Sequence, residues 1–188
     1  MSSVRLFILG SLAERGSMHG HALRLLAEEE HIDNWADFAA GAIYGAIKRL
    51  DSEGLIASER LEREGNYPER SVYGITEAGR ASLAELRLDG LRQIVMRPDP
   101  VDLALARLDP DRLDDLDGIL TVRRDELRRR LTDGEAHLAD IRHHLTVAEA
   151  HVMRHRLARL GAEIAWHDEF LEALPEIIHD ERSRRAAS

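Results

Sequence analysis

The chain contains no cysteine, and this absence excludes two kinds of bond that stabilise small proteins. Neither a disulfide nor a thiolate metal site can form in its 188 residues. Aromatic residues are also scarce, at 4%, whereas hydrophobic residues make up 44% of the chain. We therefore expect a core built mainly from Leu, Ile, Val and Ala, large enough for one or two small domains.

The sequence also lacks the segments that direct a chain to a membrane. No apolar run approaches the roughly 20 residues needed to cross a bilayer. The first twelve residues show no signal-peptide pattern. We therefore expect a cytoplasmic protein.

Signatures of catalysis are absent as well. The chain has no phosphate-binding glycine loop, no nucleophile with an ordered base and no paired acids in an apolar setting. The sequence therefore predicts no enzyme activity and no cofactor.

Histidine is the one abundant potential metal ligand, with ten residues. His151 and His155 are spaced four apart on a predicted helix, but the chain has no His-Glu-x-x-His signature. Surface or interface histidines explain the pattern without a metal. We therefore predict no metal site, and a pH response or a metal-responsive regulator stays an open alternative.

The most informative feature that is present is a two-faced helix over residues 40–53. At 100° per residue, one face carries Ile43, Ile47 and Leu50, which suits a core. The opposite face has no bulk except one aromatic ring and one cation, so it can lie very close to a charged surface. Its residues are Gly41, Tyr44, Gly45, Lys48 and Ser52.

The order of elements around this helix is typical of a winged helix-turn-helix. Two helices precede it, and Gly54 ends it as glycine does just past a helix C-terminus. Strands at 55–63 and 71–76, joined by a turn with Gly, Asn and Pro, form a wing. Thr76 opens another helix. The predicted fold class is mainly α with a small two-stranded β wing.

Five short blocks in this region resemble the PadR family of bacterial transcriptional regulators. They occur in the family's order and at its spacing over residues 4–88. The blocks are Ile8-Leu9-Gly10, Met18-His19-Gly20, Gly41-Ala42-Ile43-Tyr44, Lys48-Arg49-Leu50 with Glu53-Gly54-Leu55-Ile56, and Tyr73-Gly74-Ile75-Thr76-Glu77-Ala78-Gly79-Arg80. The resemblance implies a winged helix-turn-helix DNA-binding domain at residues 1–88. As in the longer subgroup of the family, it also implies a helical dimerisation domain at residues 89–188.

Three positions depart from the family pattern. His21 stands where the family has a tyrosine, and this weakens the transfer of a phosphate contact to that site. Glu69 and Gly74 stand where basic or polar residues are usual. Each departure removes positive charge or contact near DNA.

The net charge of −9 is unusual for a protein that binds DNA. Residues 1–88 hold ten basic and fourteen acidic side chains. DNA affinity depends largely on neutralised phosphates, so the positive charge has to be local, and we expect strong salt sensitivity. The basic residues of the proposed helix and wing are Lys48, Arg49, Arg60, Arg63 and Arg70.

The second half is predicted to be helical throughout. Asp99 and Asp109 each precede a proline, which is typical of a helix N-cap, and Asp109 is expected to open a long helix. Apolar residues then recur at steps of three and four over 127–152 and over 157–178. The phase changes near residues 145–153, where a capping box at Thr146-Val147-Ala148-Glu149 predicts that one helix ends near Leu145 and the last one begins near Thr146.

These seams predict a homodimer. Two helices cannot hide both seams against each other alone, so an apolar stripe is left for a partner chain, although an intramolecular core is the alternative. The family resemblance implies the same pairing. A twofold axis in turn predicts a palindromic operator.

We predict contacts with double-stranded operator DNA at Gly41, Tyr44, Gly45, Lys48, Arg49 and Arg70. The alternatives are a half-buried helix tyrosine for Tyr44, a solvated face for Lys48 and Arg49, and a loop charge for Arg70, which we otherwise place at the wing tip. Trp35 and Trp166 are candidate stacking platforms for a small-molecule effector, with plain packing as the alternative.

The sequence thus favours a dimeric regulator, a repressor, that binds its operator through the two-faced helix and the wing and is released by an unidentified effector. The alternative function is a winged-helix adaptor that binds another protein through its acidic surface without specific DNA binding.

Overall fold

The computed structural model describes residues 2–62 and 70–186. Its contacts form two compact units, Met1–Met96 and Arg97–Ser188. The boundary predicted between residues 88 and 89 lies inside a helix of the first unit, and the assignment of a DNA-binding and a dimerisation domain stays a prediction. In the described ranges, no helix combines the length and apolarity needed to cross a membrane.

The first unit has the predicted order of helices and strands. Its helices are Ser3–Arg15 (α1), Gly20–Glu29 (α2), Ile43–Ser52 (α3) and Glu77–Arg92 (α4). Its strands are Met18–His19 (β1), Ile56–Glu62 (β2) and Arg70–Ile75 (β3). Single 3₁₀ turns at Ile32–Asn34 and Ala40–Ala42 connect α2 to α3.

The sheet has three strands, whereas the sequence predicts two. β3 is central and pairs antiparallel with both β1 and β2. Met18 lies opposite Tyr73, and His19 lies opposite Val72. β1 was not predicted because two residues are too few to show the alternation that marks a strand.

A bulge in β2 explains one departure from the family pattern. The pairing skips a residue between Ser58 and Arg60, so Glu59 is the extra residue. The Glu59 carboxylate accepts a hydrogen bond from Ser17 Oγ at 2.5 Å and lies over Gly74, where an added Cβ would overlap it. Gly74 therefore leaves the space that Glu59 fills.

One apolar core holds α1, α2, α3, β2 and α4 together. Full burial of such a side chain contributes about 1.5–3 kcal/mol, so the set can stabilise a small domain. The inner face of α3 supplies Ile43, Ala46, Ile47 and Leu50, all 4% exposed or less. The other buried members are Val4, Ile8, Leu9, Leu12, Leu23, Ala27, Ile32, Ile56 and Leu83.

The second unit is helical. It contains Pro100–Leu105 (α5), Leu116–Ile141 (α6) and Val147–Ala186 (α7), with 3₁₀ turns at Pro110–Asp115 and Arg142–His144. Asp99 Oδ1 accepts from the Val101 amide at 2.9 Å, and Asp109 Oδ1 accepts from the Asp111 amide at 3.0 Å, which confirms both N-caps. The segment after Asp109 begins as a 3₁₀ turn, so the expectation of one continuous long helix from that point was wrong.

The predicted capping box separates α6 from α7. The Thr146 amide donates to Glu149 Oε2 at 2.7 Å, and the Glu149 amide donates to Thr146 Oγ1 at 3.2 Å. The hydrogen bonds from Thr146 hold the pKa of the Glu149 carboxyl below its usual value. The break between the two long helices is therefore fixed by local hydrogen bonds.

The two apolar seams meet each other in an antiparallel hairpin of α6 and α7. Gly134 faces Leu157 so closely that an added Cβ would lie 2.6 Å from Leu157 Cδ2. Ile164 and Leu174 are buried. Much of each seam is therefore used inside one chain. Large apolar side chains of the second unit that stay exposed are Leu103, Ile119, Val122, Val147 and Val152.

A buried polar network lies within the hairpin. His167 is 1% exposed, and its Nδ1–H donates to the Glu163 carbonyl at 2.8 Å. Its Nε2 accepts from Arg123 Nε at 3.0 Å, while Arg123 Nη2 donates to Asp99 Oδ2 at 2.6 Å. Both ring nitrogens are thus satisfied by a neutral imidazole, and Arg123 ties the cap of α5 to α6 and α7.

Asp99 should make the stability of the second unit depend on pH. The backbone hydrogen bond from Val101, followed by the Arg123 charge, lowers the pKa of Asp99 in the folded chain. A lowered folded pKa stabilises the fold above the unfolded value of about 3.9, and this stabilisation is lost as the pH falls through the folded pKa. Asp99→Asn keeps the cap but removes the charge, so its melting temperature should be lower than wild type at neutral pH. The difference should shrink below about pH 4.

Thermal unfolding followed by circular dichroism tests this expectation. Asp109→Asn is the matched control, because Asp109 also caps a helix before proline but makes no salt bridge in the described part of the chain. A difference for Asp99→Asn that stays constant between neutral and acidic pH would contradict the assigned role of Arg123.

Candidate nucleic-acid interface

α3 separates a buried apolar face from an exposed polar face, as the sequence predicts. Gly41, Tyr44, Gly45, Lys48 and Arg49 are all exposed. A Cβ added at Gly41 would meet no atom within 4 Å, and at Gly45 only Arg49 Nη1 at 3.7 Å. Packing within the chain therefore does not require glycine at either position. Because glycine has no side chain, nothing projects from the exposed face of α3 at these two positions.

The end of α3 is held by hydrogen bonds from the backbone and from α1. Gly54 adopts a φ of 71°, and the Leu55 amide donates to the Leu50 carbonyl at 2.9 Å. Arg5 donates two hydrogen bonds to the Glu53 carboxylate, at 2.9 and 2.5 Å. These bonds hold the pKa of Glu53 below its usual value, with smaller contributions from the charges of Arg5 and Arg49. The Glu53 carboxylate at the C-terminal end of α3 is therefore already neutralised by a partner.

Two cations of α3 are left without such a partner. Neither Lys48 nor Arg49 makes a salt bridge within residues 2–62 and 70–186. Arg60 of β2, by contrast, pairs with Glu62 at 2.7 Å. The local positive charge therefore comes from α3 more than from β2, and Arg63 lies outside the described residues.

An open cavity of about 290 Å³ lies beside the exposed face of α3. Its walls come from the start of α2, from α3 and from β3. The residues that line it are His19, Gly20, His21, Tyr44, Ile47, Lys48, Arg70, Ser71 and Tyr73. The fold thus brings Tyr44, Lys48 and Arg70, three predicted site residues, to one place.

Arg70 is not at the wing tip, where the sequence placed it. It is the first residue of β3, lies opposite Glu62 and is half-buried on the wall of the cavity. The wing tip, with Glu69, lies outside the described residues. The strand begins one residue earlier than predicted, so Arg70 belongs to β3 and not to the turn.

Tyr44 is partly packed within the chain and partly exposed, as both of the roles predicted for it require. Its side chain is 46% exposed. The ring packs against Gly20, where an added Cβ would lie 3.3 Å from Tyr44 Cε1 and 3.1 Å from Ile47 Cδ1. The close approach of α2 to α3 therefore favours a very small residue at position 20, and nearly half of the Tyr44 side chain stays exposed.

Sequence reasoning did not predict the contribution of His19, Ser71 and Tyr73 to this cavity. His19 caps α2, because its Nδ1 accepts from the Ala22 amide at 2.9 Å. Its ring stacks on that of His21, with centroids 6.1 Å apart and planes 17° apart. The signals in the sequence that fall on this wall are the Met18-His19-Gly20 block, the departure at His21 and the block that contains Tyr73.

The two tryptophans lie in different units. Trp35 is 52% exposed, and its Nε1 donates to the Glu30 carbonyl at 2.9 Å. Trp166 is half-buried and meets His167 edge-on at 4.8 Å and Phe170 at 5.4 Å. Their role as an effector site stays a prediction. The described residues contain no group of three or more side chains placed to hold a metal ion.

Comparison with known proteins agrees with this geometry. Residues 8–85 match the model of the transcriptional regulator PadR-like family. The match covers less than half of the chain and lies within the first unit. No curated protein sequence matches the chain.

Solved structures extend the similarity of fold to more than nine tenths of the chain. Bacillus subtilis PadR in complex with operator DNA is 18% identical with a TM-score of 0.74, covering 92% of this chain and 99% of that one. The same protein in complex with p-coumaric acid is 18% identical with a TM-score of 0.69, covering 93% and 99%. The Vibrio cholerae virulence activator AphA is 19% identical with a TM-score of 0.67, covering 93% and 99%. These structures confirm the predicted winged-helix fold with long C-terminal helices.

His19 should stabilise the wall of the cavity through its cap. His19→Ala removes the acceptor for the Ala22 amide and should destabilise the first unit by about 0.5–2 kcal/mol, as for other N-cap deletions. His19→Asn keeps a side-chain acceptor and should recover most of the loss. Urea unfolding of both variants at a slightly basic pH measures the difference. Equal stability of the alanine and asparagine variants would show that the cap contributes nothing.

Proposed function

We propose that the chain is a dimeric repressor that binds a palindromic operator. α3 enters the major groove, and the β2–β3 wing lies along the flanking backbone. An effector releases the complex. The observation that carries this proposal is the exposed face of α3, where two glycines that packing does not require stand beside Lys48 and Arg49, which have no salt-bridge partner in the described chain.

The exposed face of α3, with its two glycines, suits close approach to DNA. A glycine adds no side chain between the helix and the floor of the groove, so the backbone can come nearer to base edges. Tyr44 and Lys48 project beside these glycines as a hydroxyl and a cation. The hydroxyl can meet a base edge or a phosphate, and the ammonium group suits a phosphate or a guanine.

The charge distribution predicts a binding that depends steeply on salt. Residues 1–88 are net acidic, so little non-specific attraction remains once the local cations are screened. Each phosphate that a cation neutralises contributes a slope of about −0.9 in a plot of log affinity against log salt concentration. A dimer doubles these contacts, and the proposed repressor therefore needs both copies for useful affinity.

Exposed apolar side chains support a dimer. Leu91, Ile94 and Met96, at the end of the first unit, are 85–90% exposed. The second unit exposes Ile119 and Val122 on α6 as well. Clusters of large exposed apolar residues mark interaction surfaces, and the proposed partner is a second copy of the chain.

The relatives support operator binding and effector release as proposals for this chain. Bacillus subtilis PadR has been solved with operator DNA and with p-coumaric acid. We propose a small-molecule effector here too, with Trp35 and Trp166 as stacking platforms. AphA is described as an activator, so a reporter gene is the direct measure of repression. A regulator of transcription works where the DNA is, and the proposed location is the cytoplasm.

Substitutions on α3 should separate DNA binding from folding. Gly45→Ala adds a methyl group that the free chain accommodates, so stability should be unchanged or rise by up to about 1 kcal/mol. Its operator affinity should nevertheless fall at least about tenfold, because the methyl group occupies the interface. Lys48→Met should also lower affinity, with a salt slope smaller by about one per protomer.

Fluorescence anisotropy with labelled operator at several salt concentrations measures both effects. Arg87→Met is the matched control, because Arg87 is an exposed cation of the same unit that pairs with Glu14 and does not line the cavity. Wild-type affinity in both α3 variants would exclude α3 as the recognition helix.

Selection of bound fragments from a random DNA pool, followed by sequencing, should return an inverted repeat. The centres of the two half-sites should be separated by about 10–10.5 base pairs or a multiple of that distance. This is the spacing expected for a dimer with twofold symmetry that contacts successive major grooves. Retention of no DNA at low salt would instead favour the alternative, a winged-helix adaptor that binds another protein.

A further inference from the structure

We propose that the cavity beside α3 holds one backbone phosphate of the bound DNA and that His21 makes this contact dependent on pH. Operator affinity then increases as the pH falls through the range in which imidazole titrates. This inference rests on the proposed DNA-binding function, because it names the part of the ligand that the cavity holds.

The lining of the cavity fits a phosphate group. Lys48 of α3 and Arg70 of β3 supply positive charge from two different elements, and Ser71 supplies a hydroxyl. None of the described residues that line the cavity is acidic, in a chain whose net charge is −9. A volume of about 290 Å³ also accommodates the group and several waters, each of which occupies about 30 Å³.

The two stacked histidines at this cavity, His19 and His21, have different roles. His19 Nδ1 is occupied by the cap of α2, so this ring has a structural role. His21 is half-buried on the cavity wall and makes no hydrogen bond or salt bridge in the described part of the chain. Its ring nitrogens are therefore available to a ligand.

The chemistry of imidazole couples this contact to pH. A neutral imidazole offers one N–H donor, whereas the protonated ring offers two donors and a positive charge. A phosphate oxygen accepts from both forms but attracts the charged form more strongly. Imidazole titrates near neutrality, whereas the hydroxyl of Ser71 and the charges of Lys48 and Arg70 do not change in this range. A phosphate contact made by an imidazole therefore responds to pH.

The neighbours of His21 strengthen the case for an anion. The charged groups that face it across the cavity are Lys48 and Arg70, and the titratable ones are His19, Tyr44 and Tyr73. All the charged ones are cations. A bound phosphate is negatively charged, so its binding and the protonation of His21 favour each other.

The test is operator affinity, by anisotropy, at constant ionic strength between about pH 8 and about pH 6. Wild-type affinity should rise by about five- to tenfold over this range, since one proton taken up per protomer changes affinity by up to tenfold per pH unit. His21→Gln should give a flat profile at the weaker affinity, and His21→Tyr should give a flat profile at higher affinity.

His31→Asn is the matched control. His31 is an exposed histidine of the same unit that does not line the cavity, and asparagine tolerates its positive φ of 49°. This variant should keep the wild-type pH profile. Circular dichroism at both pH limits checks that each variant is folded.

A second set of measurements identifies the source of the phosphate. Operators with single methylphosphonate linkages lose one backbone charge at a time. One such substitution should abolish the pH dependence in wild type and have no further effect in His21→Gln. If inorganic phosphate alone shifts the His21 ring resonances while every methylphosphonate operator keeps the pH dependence, the site binds free phosphate and the proposal is overturned.

The remaining outcomes also separate this inference from the proposed function. Sequence-specific binding with the same pH profile in wild type and His21→Gln would overturn the phosphate site and leave the regulator intact. Absence of DNA binding at every pH would overturn both.

Discussion

Burial of one side of α3 is the constraint on which the rest of the candidate site depends. Ile43, Ile47 and Leu50 are among the least exposed side chains of the chain, and they fix the rotation of the helix about its axis. Because successive helical residues are 100° apart, this rotation also fixes where Gly45 and Lys48 face. A one-residue shift in the apolar pattern would rotate the helix by about 100°, which would turn polar side chains toward the core and expose isoleucine, so packing and the candidate interface are set by the same residues.

A second constraint acts on charge. The chain is acidic, and a binding face on it needs its carboxylates neutralised or kept away. Arg5 of α1 neutralises Glu53 at the end of α3, and Ser17 holds Glu59 over β3. Both acids are thus occupied by partners inside the first unit. Lys48 and Arg49 make no salt bridge within the described residues, which explains how a unit with an acidic total can present positive charge on α3.

Features encoded by neighbouring residues could be predicted from the sequence. The two faces of α3, the caps at Asp99 and Asp109 and the capping box at Thr146 depend on spacings of four residues or fewer, or on a strong helical period. Features that join distant residues could not. β1 has two residues and exists only through pairing with β3, and the cavity joins His21, which is 27 residues before Lys48, to Arg70, which is 22 residues beyond it. The apolar period likewise included His167 but gave no sign that Arg123 would satisfy its buried ring.

The buried network around His167 has a consequence for the alignment of the two long helices. Apolar seams made of leucine and isoleucine pack nearly as well when one helix is shifted along the other by seven residues, because each apolar side chain then meets an equivalent set of neighbours. The bonds from Arg123 to His167 and Asp99, together with the Arg128–Asp168 and Arg182–Asp114 pairs, form at one alignment only. A slipped hairpin would leave His167 buried without its hydrogen-bond donor. These polar groups therefore disfavour a shifted alignment of α6 and α7, even where the apolar contacts alone would allow it.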